Sequence, residues 1–231
     1  MEKVIVLLRD AVPDEQWCAQ LRGPVADKIM ALGVAGLTVN VRDAAVRGSL
    51  MTLTTLDPPV VAVVSIWAQQ SYGPQIRDAV DLLAAQCQLA AAYLVTESVP
   101  LEHVTEIGQR TAGLANVALL RRPAHLDRDT WLARWQLNHT SVAIETQATF
   151  GYTQNVVWRA LTPDAPTIDG IVEELFPAEA ITDLHAFFGA ADDADLQDRM
   201  SRMIASTTAF GANENIDTVP TSRYVRRAPF A

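Results

Sequence analysis

The fold is decided in the middle of the chain, where one helix-forming segment precedes two strand-forming segments: LDRDTWLARWQLNH at residues 126–139, YTQNVVWR at 152–159 and IDGIVEELF at 168–176. In the first segment two tryptophans and a histidine recur at every fourth position, which places them along one stripe of a helix. The other two segments are rich in β-branched and aromatic residues and are flanked by turn residues, as is typical of strands. This stretch therefore predicts a helix followed by two strands.

The same elements continue outward in both directions. Apolar runs and helical stripes predict the order strand, helix, strand, strand, helix, strand, and this order occurs twice with a period of about 115 residues. The predicted strands cover residues 4–8, 36–41, 60–67, 91–99, 116–122, 152–161, 168–176 and 218–225. The predicted helices cover residues 13–32, 74–87, 127–147 and 196–204. A mostly polar segment over 102–114 is interpreted as a linker.

This pattern predicts an α+β fold of two tandem ferredoxin-like (β-α-β-β-α-β) units, residues 1–105 and 112–231. The helices of one unit cover only one face of its sheet, yet strands such as Val4–Leu8 are apolar on both faces. The two uncovered faces must therefore meet, so we expect the units to pack sheet to sheet as a pseudo-dimeric α/β barrel. The interior of such a barrel can hold one small ligand.

The composition excludes several classes of protein. With 49% hydrophobic and only 19% charged residues, the chain can fill packed cores, which excludes disorder as its dominant state. A net charge of -9 without any basic stripe argues against a nucleic-acid partner. The apolar runs are too short to span a bilayer, and the first ten residues lack a signal-peptide core. We therefore expect a cytoplasmic protein with no membrane partner.

No metal site is expected, because the cysteines and most histidines lack the spacing of metal ligands. The scattered residues are Cys18, Cys87, His103, His125 and His185. Three arginines near the last strand, Arg223, Arg226 and Arg227, are interpreted as solvated charges.

His139 is the first candidate for chemistry. It shares its helix stripe with Trp131 and Trp135, and such a stripe normally faces a core. An imidazole both donates and accepts hydrogen bonds and titrates near neutral pH, which suits general acid–base catalysis. The alternative is a core histidine whose ring is bonded to a backbone carbonyl.

Asp169 is the second candidate, since it is a carboxylate at the start of an otherwise apolar strand. It could orient His139, act as a base itself, or cap the turn after Pro166, and the Asp-Gly sequence favours the turn. On the preceding strand, alternation places Tyr152 on one face and Asn155 on the other.

These segments resemble the EthD-domain proteins of the dimeric α/β-barrel superfamily. The helix ending Trp135-Gln-Leu-Asn-His139 is similar to that family's W-x-x-x-H helix, and Tyr152 and Asp169 stand in the matching strands. The resemblance covers residues 115–180 and implies the barrel, a motif histidine at His139 and a polar partner at Asp169. The first half departs from the pattern, because no histidine precedes His103.

The resemblance implies a small-molecule protein. The first hypothesis is a cofactor-independent enzyme acting on an apolar aromatic or polyketide-like compound, with His139 moving the proton. Tyr152, Asn155 and Asp169 would be polar contacts, and Trp135 would form a wall. The second is a non-enzymatic module that binds a hydrophobic ligand, and the third is a haem-linked oxygenase with His139 as axial ligand. Pairing of two chains through their helices stays open.

Overall fold

The computed structural model describes residues 1–229. Its strands are β1 (Glu2–Arg9), β2 (Gly36–Val41), β3 (Val60–Ala68), β4 (Leu89–Leu101), β5 (Leu114–Leu120), β6 (Gly151–Ala160), β7 (Gly170–Phe176) and β8 (Asp217–Arg227). Its helices are α1 (Glu15–Gln20), α2 (Ala26–Ala31), α3 (Pro74–Ala84), α4 (Arg128–Leu132), α5 (Thr140–Thr146), α6 (Leu184–Phe188) and α7 (Asp193–Phe210). No helix within this part of the chain is both long and apolar enough to cross a membrane.

The eight strands form one closed antiparallel barrel, in the order β1-β3-β2-β8-β5-β7-β6-β4. Pairing of β4 with β1 closes the ring. Each half of the chain contributes four neighbouring strands, and the halves meet where β2 pairs with β8 and where β4 pairs with β6. The prediction of an α+β barrel is confirmed at this level.

Burial on both faces of the strands follows from this closure. On β1, Val4 and Leu8 join the apolar cluster beneath α1, α2 and α3. Ile5 and Leu7 alternate with them and join a second cluster inside the barrel. The helices lie outside the ring, so a strand has one face toward the helices and one toward the interior.

Two of the predicted helices are interrupted by π-helical turns. Leu21–Val25 separates α1 from α2, and Ala133–His139 separates α4 from α5. In the second case the amide of Thr140 donates to the carbonyl of Trp135, five residues earlier, so the turn holds one extra residue. A sequence pattern based on regular α-helical spacing does not reveal such a turn.

One end of the barrel is closed by loops. The side chain of Asp217 accepts hydrogen bonds from the amides of Thr55 and Leu56, at 2.6 and 3.2 Å. Across the same end, the Tyr93 hydroxyl donates to the carbonyl of Pro166 at 2.7 Å. Leu56 and residues beside Pro166 pack on the interior cluster, and the cavity lined by residues 1–229 opens at the opposite end.

Candidate functional site

A cavity of about 340 Å³ occupies the open end of the barrel. Apolar side chains form its deeper part, among them Ile5, Val63, Val117 and Ile171. Polar and charged side chains surround its upper part: Lys3, Thr38, Ser65, Glu97, Thr153, Asn155, Glu173 and Arg223. The cavity is therefore amphipathic, with an apolar floor and a polar mouth.

Two ion pairs face this cavity. The Lys3 ammonium contacts the Glu97 carboxylate between β1 and β4. The Arg223 guanidinium lies 2.7 Å from Oε1 of Glu173, and the amide of Asn40 donates to Oε2 of Glu173 at 2.8 Å. Charges removed from water are tolerated when they are paired and hydrogen-bonded, and each of these carboxylates has its cation.

Lys3 is the more deeply buried cation, with 7% of its side chain exposed. Its Nζ lies 4.6 Å from the ring centroid of Trp67, the residue opposite it on β3. Burial lowers the pKa of the Lys3 amine, although Glu97 opposes that shift by favouring the charged form.

A second cavity, of about 460 Å³, lies beside the first at the rim of the barrel. Met1, Leu94 and the exposed ring of Trp158 contribute to its wall. Lys3, Trp67 and Glu97 line both cavities, so these three side chains form the partition between them.

The segment after β4 lies at the mouth of the barrel cavity. His103 lines the cavity, and its ring packs edge-on against Phe150 with centroids 4.8 Å apart. Arg223 donates from Nη1 to the Thr105 hydroxyl at 2.7 Å, which ties the segment to the barrel. The predicted linker is therefore part of the cavity, and the interpretation of Arg223 as a solvated charge is wrong, because strand alternation turns it inward.

His139 lies on the other side of the sheet from the barrel cavity. Its Nδ1 is 2.9 Å from the Ser206 hydroxyl of α7, and its ring packs against Phe210 at 4.8 Å. Burial lowers the pKa of His139 to about 4, so the ring is neutral near pH 7. This enclosed position between α5 and α7 does not fit a haem axial ligand, and it leaves the acid–base role of His139 a prediction.

Trp135 and Tyr152 lie together on the outer face of the barrel sheet, the face that the helices cover (the helix side). Both belong to the apolar cluster between α4, α5 and the sheet, and the rings of Trp131 and Trp135 pack 5.0 Å apart. Tyr152 also borders the mouth of the barrel cavity, and burial raises the pKa of its hydroxyl. Gly170 lets the Trp135 ring approach the sheet, since a Cβ there would lie 2.6 Å from that ring.

Asn155 and Asp169 have separate positions. Asn155 lines the barrel cavity, where its Nδ2 donates to the carbonyl of Ile171 at 3.1 Å and its buried Oδ1 has no partner among residues 1–229. Asp169 accepts a hydrogen bond from the amide of Arg122 at 2.8 Å, a contact that joins the segment after β5 to the segment before β7. The structure thus brings Asn155 to the cavity and does not bring Asp169 to His139.

Glu174 is a buried carboxyl that the sequence analysis did not single out. It follows Glu173 on β7, but its side chain faces the helix side, where the register places it between Asn116 and Tyr152. Burial raises the pKa of Glu174 to about 8. Strand alternation from Glu173 would have revealed that one of two adjacent carboxylates must face each side.

Comparison with known proteins gives a likeness of fold. No family model and no curated protein matches the chain by sequence. Among solved structures, an anthrone oxidase-like protein matches 100% of this chain and 95% of its own, with a TM-score of 0.57 and 9% identity. A second match is a protein assigned as a monooxygenase from Lactobacillus acidophilus. It covers 98% of this chain and 97% of that protein, with a TM-score of 0.47 and 10% identity. The first likeness is one of overall fold, extending over the whole chain.

Proposed function

We propose that the protein is a cofactor-independent enzyme that binds a small, mainly apolar aromatic or polyketide-like compound in the barrel and acts on it by acid–base chemistry. The observation that carries the proposal is the amphipathic barrel cavity, closed at its floor and lined by titratable side chains at its mouth. A cavity of this volume suits one small ligand.

The charges around the cavity define the ligand further. Lys3 and Arg223 are balanced by Glu97 and Glu173, and Glu102 at the mouth adds one further carboxylate to the lining. A ligand that fits carries no negative charge, and it has a ring system for the apolar floor and hydroxyl or carbonyl groups for the mouth. The partnerless Oδ1 of Asn155 favours a hydroxyl donor on that ligand.

Groups of the cavity would move the proton. His103 at the mouth and the Lys3–Glu97 pair both face the cavity and can exchange protons with a bound compound. His139, by contrast, lies behind the sheet, so its role would have to be indirect. The role of Asp169 as its partner is not part of this proposal.

The family assignment belongs to the same proposal. The two halves, residues 1–105 and 112–231, would be ferredoxin-like units of an EthD-like protein whose barrel forms within one chain. The identical relative order of the four strands in each half supports this. The anthrone oxidase-like protein of similar fold makes fused aromatic ketones the first compounds to test.

A binding module without catalysis is the second candidate. The observation that favours it is that Glu97 and Glu173 are each paired with a cation, so neither carboxylate is free to act as a base. Turnover of a bound compound distinguishes the two functions, because a binding module returns its ligand unchanged.

Native mass spectrometry and anthrone titration test the proposal. We expect one bound organic molecule, or one equivalent of added anthrone, and conversion of bound anthrone in air. Ile171→Trp, which fills the floor of the cavity, should abolish binding, whereas His139→Ala should retain it in the folded fraction. Binding that survives Ile171→Trp and is lost in folded His139→Ala would overturn the proposal. A bound haem would do the same.

A further inference from the structure

The chain contains two lysines, and the structure gives them opposite environments. Lys28 lies on α2 and is exposed to solvent. Lys3 lies on β1 with its amine inside the barrel, 7% exposed, in the partition between the two cavities. An amine in that position can be reached by a ligand from either cavity and is otherwise shielded from water.

We propose that Lys3 is a covalent site, at which its amine condenses with a carbonyl group of the bound aromatic compound to form an imine. This inference rests on the proposed function, and it names the substrate class of the site as aldehydes and ketones. Lysine is suited to this chemistry because a desolvated amine exchanges its proton readily and is then a good nucleophile.

The partner of Lys3 supplies the proton acceptor that the first step needs. The ammonium and the Glu97 carboxylate are in direct contact, so one proton shift converts the ion pair into a neutral amine and a neutral carboxylic acid. In a site shielded from water the ion pair loses the stabilisation that solvent gives to its charges. The neutral pair, which has the same net charge of zero, is therefore closer to it in free energy. Burial lowers the pKa of Lys3 in the direction that this shift requires.

The bonds formed and broken balance without any oxidant or reductant. The Lys3 nitrogen bonds to the carbonyl carbon, and the carbonyl electron pair moves to oxygen, which takes the proton from Glu97. Glu97 then takes a second proton from the nitrogen and passes it to the hydroxyl oxygen, the C–O bond breaks, and the oxygen leaves as water, which leaves Glu97 as a carboxylate beside a protonated C=N bond. The product is a C=N bond between ligand and lysine, in place of the C=O bond.

The walls around the amine fit a flat carbonyl compound. The ring of Trp67 lies 4.6 Å from Nζ and offers one aromatic face beside the reacting atoms. The second cavity, at the rim of the barrel beside Leu94 and the exposed Trp158, gives room for the part of the ligand that extends beyond Lys3. The apolar floor below holds the other part.

Reductive trapping tests the proposal, with Lys28 as the control within the same chain. The protein is incubated at pH 7 with 2-hydroxy-1-naphthaldehyde and sodium cyanoborohydride, and the modified residues are located by tandem mass spectrometry. We expect modification of Lys3 to be severalfold faster than that of Lys28, because burial lowers the pKa of Lys3 and the barrel cavity holds the aldehyde beside its amine. Equal or faster modification of Lys28 would overturn the proposal.

A matched variant separates this inference from the proposed function. Lys3→Met combined with Glu97→Gln removes both charges, so that neither is left buried alone. We expect it to bind the aldehyde, measured by quenching of tryptophan fluorescence, without forming the reduced adduct, while Lys28→Arg forms it normally. Aldehyde bound to the natural chain with Lys3 unmodified would refute the imine and leave the proposed function standing. Failure of aldehyde and anthrone alike to bind would refute both.

Discussion

Glu173 and Glu174 are adjacent on β7, yet the protein treats their carboxyl groups in opposite ways. Glu173 faces the barrel, where Arg223 and Asn40 pair with both of its oxygens. Glu174 faces the helices, no cation of residues 1–229 pairs with it, and burial raises its pKa to about 8. A carboxyl group can thus be buried charged with partners or buried neutral without them, and the strand pleat decides which environment each one meets.

Removing the charge of Glu173 should have the largest effect. Glu173→Ala leaves Arg223 inside the barrel without its partner, and we expect a loss of about 3 to 5 kcal/mol in the free energy of unfolding. Urea denaturation measures it. Glu173→Ala combined with Arg223→Met should recover part of the loss, since both charges are then gone. A single variant as stable as the natural chain would show that the pair contributes no stability.

Glu174 should show its effect through pH. The folded chain keeps the Glu174 proton up to about pH 8, whereas the unfolded chain releases it near the ordinary value of 4.5. Unfolding is therefore favoured increasingly as pH rises from 4.5 to 8, by about 1.4 kcal/mol for each pH unit. Glu174→Gln should remove this slope in urea titrations at pH 5, 7 and 9. A slope that persists in the variant would place its origin elsewhere.

His139 should respond in the opposite direction. Its folded pKa of about 4 lies below the ordinary value of 6.5, so its neutral form contributes stability above pH 6.5 that is lost as pH falls toward 4. We expect a loss of about 3 kcal/mol over that window, measured by urea denaturation. His139→Gln keeps a hydrogen-bonding group for Ser206, and the free energy of unfolding of this variant should depend less on pH between 6.5 and 4. An unchanged acid slope would contradict the burial of a neutral ring.

The fit of the helix side can be tested with a single methyl group. Gly170→Ala places a Cβ against the Trp135 ring, and we expect a loss of about 1 to 2 kcal/mol in the free energy of unfolding. Gly48→Ala is the matched control, because nothing lies within 4 Å of the added atom. Equal stability of the two variants in thermal unfolding would mean that the Trp135 ring can move aside without any loss of stability.

Much of the barrel could be predicted from strand patterns, because a strand such as Val4–Leu8, apolar on both faces, needs cover on both sides. The same alternation contains information that the sequence analysis did not use. Lys3 shares a face with Ile5 and Leu7, and Arg223 shares one with Val219. A charge in the inward register of a buried strand is evidence for a polar site inside the barrel.

The position of His139 shows a different limit. Helical spacing correctly indicates that the Trp131, Trp135 and His139 stripe is buried. It does not say which core the stripe enters. The crossover helices cover the outer face of the sheet, and the barrel interior lies on the inner face, so residues of that stripe pack behind the wall. Topology therefore decides between the two cores, and residue spacing alone does not.

The position of β8 has a consequence for how the protein is made. β8 pairs with β2 on one side and with β5 on the other, so the ring cannot close before this strand leaves the ribosome. Until then β2 (Gly36–Val41) has an open edge of apolar residues, which other chains can pair with. Chaperone dependence and aggregation during synthesis should therefore concentrate on the interval before β8 is complete.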